Sequence, residues 1–312
     1  MDFSYKNLTT RRDKDNSSTM RRRRRWGDLL APYIFASPFI ISFLVLFLGP
    51  AIYSLVLSFY RYRGYGQARF VGFDNYEAVL NYHVFWTMLN NTIVYWLAHV
   101  FPLMIFAFLL AVLVRSKLIK GKRFFKPLIF MPNIVAVVAA ALVFQSLFGT
   151  TYGVINNLFG LDVPWLQQAG TTRIIVVIMM IWRGLGWWFV IFLAGLTSIN
   201  PEVEEAATVD GASPVQTLLF VTIPLMRKVF LFAFVIDAIN SFRLFAEPNV
   251  LVARGGELAP NDVAPVLNLL LLNLQNGRFG MSAASGWIIF LLIATVSFLQ
   301  FFVFRDRNNE AD

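Results

Sequence analysis

At 312 residues, with 57% hydrophobic, 16% aromatic and only 14% charged side chains, the chain carries more apolar surface than a soluble core can bury. Cysteine is absent, which excludes disulfides, thiolate metal sites and cysteine nucleophiles, and two histidines, His83 and His99, nearly exclude a histidine metal cluster. The net charge of +9 argues against nucleic acid by its placement: nine of the 27 Lys/Arg precede residue 26, and Arg21 to Arg25 abut the first apolar stretch, where basic residues set topology and contact anionic lipid.

In chain order, residues 1–30 are predicted to be a basic, disordered cytoplasmic tail. The uncharged run Ala31–Phe59 exceeds a signal-peptide core of about 7–15 residues and is predicted to span, with a kink at Gly49-Pro50. Residues 73–89 mix polar and aromatic side chains and read as a short interfacial helix. Further spans are predicted at 91–114, 127–148, 174–199, 229–252 and 281–304, since about 20 apolar residues cross the hydrocarbon. Four of the six spans are free of charge; the fourth holds Arg183, and the fifth holds Asp237, Arg243 and Glu247. Residues 263–275 are apolar but too short for a seventh span, so an interfacial or re-entrant helix is expected. A short tail, 305–312, follows.

The expectation is an all-α integral membrane protein with a transmembrane domain over 31–304. Orientation follows from charge. The connection after the second span holds six Lys/Arg between Arg115 and Lys126, and the last tail adds Arg305 and Arg307. The segments 60–90, 149–173 and 253–280 are longer yet share six. Both termini are therefore expected in the cytoplasm.

The loop 199–228 then faces the cytoplasm, although four of the chain's 18 acidic residues lie between 202 and 210. Pro201 suits a first helical turn, and Glu202, Glu204 and Glu205 complement that helix's dipole. Asp210-Gly211 is a turn signal, Pro214 starts a second short helix through Gln216 and Phe220, and Pro224 ends it. By physics alone this is either an ordinary amphipathic connector or a rigid elbow made to enter a partner's groove.

The residue identities favour the second reading. Glu205-Ala206-Ala207, Asp210-Gly211-Ala212, Phe220 and Ile223-Pro224 resemble the coupling motif of binding-protein-dependent ABC importer permeases. Val71-Gly72-Phe73-Asp74-Asn75-Tyr76 is similar to the outer segment of the maltose-type, carbohydrate branch of that family. Phe130-Met131-Pro132, the stretch from Phe144 to Asn156, Gly255-Gly256 and Phe279 to Ala284 are similar to it as well. Ala253-Arg254 departs from the pattern, which puts the adjacent outer loop in question. The resemblance spans about residues 30–305. It implies a type I ABC importer permease fold with a cytoplasmic coupling elbow, in which Glu205, Ala206, Ala207, Asp210, Gly211, Ala212 and Pro224 serve contact with the ATPase.

The chain has no G-x-x-x-x-G-K-[ST] phosphate loop, HExxH or G-x-S-x-G, so no catalytic residue is assigned. Charged groups inside spans cost about 2.5–3.5 kcal/mol on insertion scales, and an Arg183–Asp237 pair lowers that cost for both. Arg243 and Glu247, four residues apart, suit a pair on one helix face. The other reading places such groups on a substrate path. The resemblance implies Trp188, Asn240, Ser241 and Phe245 there, and Arg243 and Asn133 supply similar chemistry. Membrane tryptophans also serve as interfacial anchors.

The resemblance implies the plasma membrane of a prokaryote, a second homologous permease, a cytoplasmic ATPase dimer carrying ATP and Mg, an extracytoplasmic solute-binding protein and a sugar substrate. No cofactor, metal or nucleic acid is expected on this chain. The alternative is an ion-coupled secondary transporter that uses Asp237.

Overall fold

The computed structural model describes residues 26–116, 121–150, 153–252 and 258–304. Arg21–Arg25, residues 117–120 of the basic connection, 151–152, Ala253 to Gly256, and the tail with Arg305 and Arg307 lie outside the described residues. The chain forms two compact units that divide after Ile52.

In the first unit α1 (Trp26–Phe43) starts inside the predicted tail and leads through a π turn, Leu44–Leu48, into α2 (Gly49–Ser58). The π turn sits where Pro50 would set its ring against the carbonyl of Leu46, so the expected kink is absorbed as a widened turn. Phe39, Phe43 and Phe47 stack in sequence, and the large apolar side chains from Tyr33 to Phe43 are exposed.

The second unit opens with a two-residue antiparallel hairpin, β1 (Tyr60–Arg61) and β2 (Arg69–Phe70). Asn75, in α3 (Asp74–Leu80), donates to the carbonyls of Ser58 and Tyr60 at 2.8 and 3.0 Å and closes this outer segment. The predicted 73–89 helix is thereby corrected: α3 alone stands apart, and 83–90 belong to α4 (His83–Arg115). Next come α5 (Lys122–Ile134), α6 (Val137–Phe148), α7 (Val154–Phe159) and α8 (Ala169–Thr197). The chain continues through α9 (Pro201–Val209), α10 (Pro214–Thr217), a π turn over Leu218–Thr222, α11 (Ile223–Leu225), α12 (Arg227–Phe242), α13 (Ala246–Val252), α14 (Leu267–Gln275) and α15 (Phe279–Phe304).

Among the described residues four helices are long and apolar enough to cross a membrane, and the number reaches six if each of two bent pairs, α5 with α6 and Pro214–Leu225 with α12, counts as one span. The predicted third span breaks into α5 and α6, bent by 94°. Pro132 lies in the last turn of α5, and Val135 and Ala136 are extended. The predicted fifth span, 229–252, is also interrupted: α12 ends at Phe242 and α13 begins at Ala246. Pro248 is the cause, because a continuous helix would drive its ring into the carbonyl of Leu244. Gln145 of α6 donates to the carbonyls of Val250 and Leu251 at 3.2 and 2.8 Å, which anchors the detached α13.

Helix α4 runs along α8, and α5 also packs on α8, while α12 and α14 pack on α15. Lipid supplies no hydrophobic drive between helices, so close approach relies on small residues. Ala107, Ala111, Ala140, Ala141 and Ala233 are fully buried. Around Ala107, Ala111 and Ala233 pack Phe108, Phe192 and Phe230, with ring centroids 4.9–5.8 Å apart. At Gly186 a Cβ would lie 2.6 Å from the Ile129 carbonyl oxygen and from Phe130 Cα, both backbone. Gly186→Ala should therefore destabilise the α5–α8 contact by about 1–3 kcal/mol. The check is the melting temperature of the detergent-purified protein, which falls if this packing is rigid and stays put if α5 can retreat.

The predicted seventh apolar stretch, 263–275, forms no span. Asn91 donates to the carbonyls of Asn261 and Ala264, Tyr95 to Val263, and Thr92 accepts from the Val266 amide, so three residues of α4 pin the segment before α14.

Candidate functional site

Asn133, Trp188, Asn240, Ser241, Arg243 and Phe245 all line one cavity of about 550 Å³, together with Arg183 and Asp237. The two helix breaks create it. The bend after α5 turns Asn133 toward α8, where its amide donates to the Arg183 carbonyl at 3.3 Å. The break at Arg243–Phe245 opens the wall between α12 and α13. Trp188 is buried, whereas Trp187, Asn240 and Arg243 are exposed. The Ser241 hydroxyl donates to the Asp237 carbonyl at 2.8 Å, so it lines the cavity with its hydrogen already committed.

The charged residues pair differently from the sequence reading. Arg183 does not bond to Asp237, and Glu247 does not pair with Arg243 within one helix. Arg183 Nη1 donates to Glu247 Oε1, joining α8 to α13, because the break after Phe242 carries Glu247 away from the α12 face. Asp237 instead meets His99 of α4: Nε2 lies 3.3 Å from Oδ1, to which it bonds, and 3.2 Å from Oδ2, which keeps no hydrogen bond of its own. His99 Nδ1 sits 2.8 Å from the Tyr95 carbonyl oxygen, which can only accept, so Nδ1 carries a proton. A hydrogen bond at Nε2 then needs one more proton, shared between imidazole and carboxylate. Arg183 Nε is likewise buried without a partner among the described residues. The two residues that hold this orphaned donor and this orphaned acceptor both line the cavity.

His99 was missed as a cavity residue, although a lone ionisable group within an apolar span was a usable signal. Glu247 was noticed and given the wrong partner. No group of three or more His, Cys, Asp or Glu able to hold a metal occurs among the described residues.

The loop 199–228 forms an elbow. Asn200 caps α9 by accepting from the Glu202 amide at 3.1 Å, with Pro201 in the first turn as read from sequence. After Asp210 the chain reverses at Gly211, whose φ of +85° lies in the left-handed region. Ser213 and Gln216 form a capping box at α10. The predicted second short helix is corrected: it widens into the π turn ahead of Pro224, whose ring would otherwise meet the Phe220 carbonyl. Glu205, Ala206, Asp210, Gly211 and Pro224 are exposed, and Ala207 and Ala212 are half-buried. Val209 is 85% and Phe220 74% exposed. Two large apolar side chains are thus exposed at a polar bend.

Residues 104–308 match the family described as "Binding-protein-dependent transport system inner membrane component". The arabinooligosaccharides transport system permease protein AraP of Halalkalibacterium halodurans is 33% identical over 281 residues, covering 88% of this chain and 87% of that one. The lactose transport system permease protein LacF of Rhizobium radiobacter is 32% identical over 286 residues, covering 88% and 94%. Among solved structures, a chain in the crystal structure of a bacterial alginate ABC transporter, in complex with its alginate pentasaccharide-bound periplasmic protein, superposes with a TM-score of 0.77 at 23% identity. The match covers 90% of this chain and 97% of that one, and the fold is shared.

Proposed function

This chain belongs to the family of binding-protein-dependent transport system inner membrane components, and we propose that it is the permease subunit of an ATP-driven importer for a sugar or oligosaccharide. It forms half of the pathway with a second, homologous permease. An ATPase dimer holding ATP and Mg docks on the 199–228 elbow from the cytoplasm, and an extracytoplasmic binding protein delivers the substrate. Both termini face the cytoplasm of a prokaryotic cell, and the chain itself contributes no catalytic residue and no cofactor.

The single observation that carries the reading is the cavity. Polar residues from α4, α5, α8, α12 and α13 converge on it, and two of them, Arg183 and Asp237, each also hold a buried polar atom without a partner among the described residues. Trp187 and Trp188 add aromatic surface for a sugar ring, and Asn133 and Asn240 add amides for its hydroxyls. The printed names of relatives, arabinooligosaccharides and lactose transport among them, support a carbohydrate. The family supports the ATP-driven reading over an ion-coupled one, and Asp237 is engaged by His99.

Closure of the ATPases on ATP would draw the elbows together and turn the pathway from inward- to outward-facing. The test is reconstitution of the intact complex in proteoliposomes with oligosaccharide-loaded binding protein outside. Uptake should require ATP and the ATPase subunit; accumulation by the permeases alone, driven by an ion gradient, would overturn the proposal.

A further inference from the structure

Among the described residues the elbow meets the end of α4 through a charged contact that the coupling motif does not include. Arg115 ends α4, and its Nη1 and Nη2 donate to Glu204 Oε1 and Oε2, each at 2.8 Å. Thr222, fully within the π turn and buried, donates to the same Oε1 at 3.0 Å. One carboxylate therefore ties three elements together: the inner end of α4, the first turns of α9, and the turn that leads into α12. The side chains of Arg115 and Glu204 are about a quarter exposed, in the wall of a groove beneath the elbow, so solvent screens the pair only in part. A two-pronged guanidinium–carboxylate contact also fixes orientation, which a lysine or a single bond does not.

We propose that Arg115 and Glu204 are positioning residues for energy coupling, forming a latch through which movement of the elbow reaches the cavity. The proposal rests on the elbow being the ATPase contact. Two routes leave the latch, one along α4, which contains Pro102, and one across the 64° bend between α11 and α12. Along α4, His99 lies sixteen residues before Arg115, on the order of 24 Å up a continuous helix. Through Thr222, α11 and α12 lead to Asp237 and Asn240. The two routes meet again where His99 bonds Asp237 on the cavity wall. A displacement of α9 is thus delivered to both sides of that contact together.

The charge state suits the role. Burial pushes the Glu204 carboxyl up, but hydrogen bonds from Arg115 and Thr222 and the Arg115 charge outweigh it and leave the pKa below the ordinary carboxylate value. The latch is complete at neutral pH and is lost only as pH falls through that lowered value.

The test uses the assembled transporter with substrate-loaded binding protein, and reads uptake per ATP hydrolysed. Arg115→Glu and Glu204→Arg should each lower that ratio by roughly fivefold or more while the ATPase stays bound, and the double exchange should restore it. An unchanged ratio in both single variants, with Glu205→Lys in the same assay abolishing uptake, overturns the latch and leaves the elbow standing. Normal uptake by Glu205→Lys overturns the elbow itself. If the reversed charges prevent assembly, Arg115→Gln, Glu204→Gln and their combination decide: losses that do not add support the latch, and additive or absent losses contradict it.

Discussion

Replacing Gly211 with proline should bring ATP-driven uptake to background while the subunit still inserts and assembles with its partner permease. The residue holds φ at +85°, and proline is locked near −65°, so the reversal between α9 and α10 cannot form. Nothing lies within 4 Å of a Cβ at this position, which isolates the backbone as the only obstacle. Gly211→Ala thus faces left-handed strain alone, roughly 1–2 kcal/mol, and should keep partial uptake. Glu205→Lys should match the proline variant by a different route, reversing charge on an exposed docking residue without touching the fold. The measurement is uptake beside ATPase co-purification; normal uptake by Gly211→Pro would mean that the bend does no mechanical work.

The second large effect is expected inside the membrane. Asp237→Leu leaves His99 Nε2 facing an apolar wall, a buried acceptor without a donor, at a cost of about 1–3 kcal/mol. Breaking a buried pair by removing one partner can reach about 3–5 kcal/mol, whereas single hydrogen bonds between membrane helices average about 0.6 kcal/mol, so the result lies between these bounds. The readout is a fall in melting temperature and in steady-state level. Asp237→Asn keeps a group that both donates and accepts, and should be far milder. The double variant His99→Leu with Asp237→Leu should recover the stability of the single leucine variant's parent, because neither polar atom is then stranded. Equal losses for Asn and Leu would show that the carboxylate charge, rather than the hydrogen bond to His99, holds α4 to α12.

Membrane character, the approximate spans and the elbow were legible because each leaves a one-dimensional signal: apolar length, basic connections, and Pro201, Gly211 and Pro214 at a bend. The broken spans were less legible. Pro132 and Pro248 were in plain view, yet an uninterrupted apolar run reads as one crossing, and only the packed structure reveals a 94° bend at Val135–Ala136 and the loss of helix at Arg243–Phe245. That break is also why Arg183 meets Glu247. Partner choice among four intramembrane charges depends on three-dimensional register, which helical spacing along one chain cannot supply. Trp188 and Asn240 were candidates by resemblance and Asn133 as a polar group beside Pro132, and all three line one cavity. The Glu204–Arg115 latch had no signal in the sequence, since 88 residues separate its partners and Glu204 sits among acidic neighbours already explained by the helix dipole.

The central claim is that the 199–228 elbow is the seat of the ATPase. Because the chain has no cysteine, Ala206→Cys introduces its only thiol, on an exposed face of α9. A short reagent that is thiol-reactive at one end and photoreactive at the other, applied to inverted membrane vesicles containing the whole transporter and illuminated, should join this chain to the ATPase subunit, with a yield that changes when ATP binds. A thiol modified by impermeant reagent from outside intact cells, or one that yields no product with any ATPase in the assembled complex, would contradict the account.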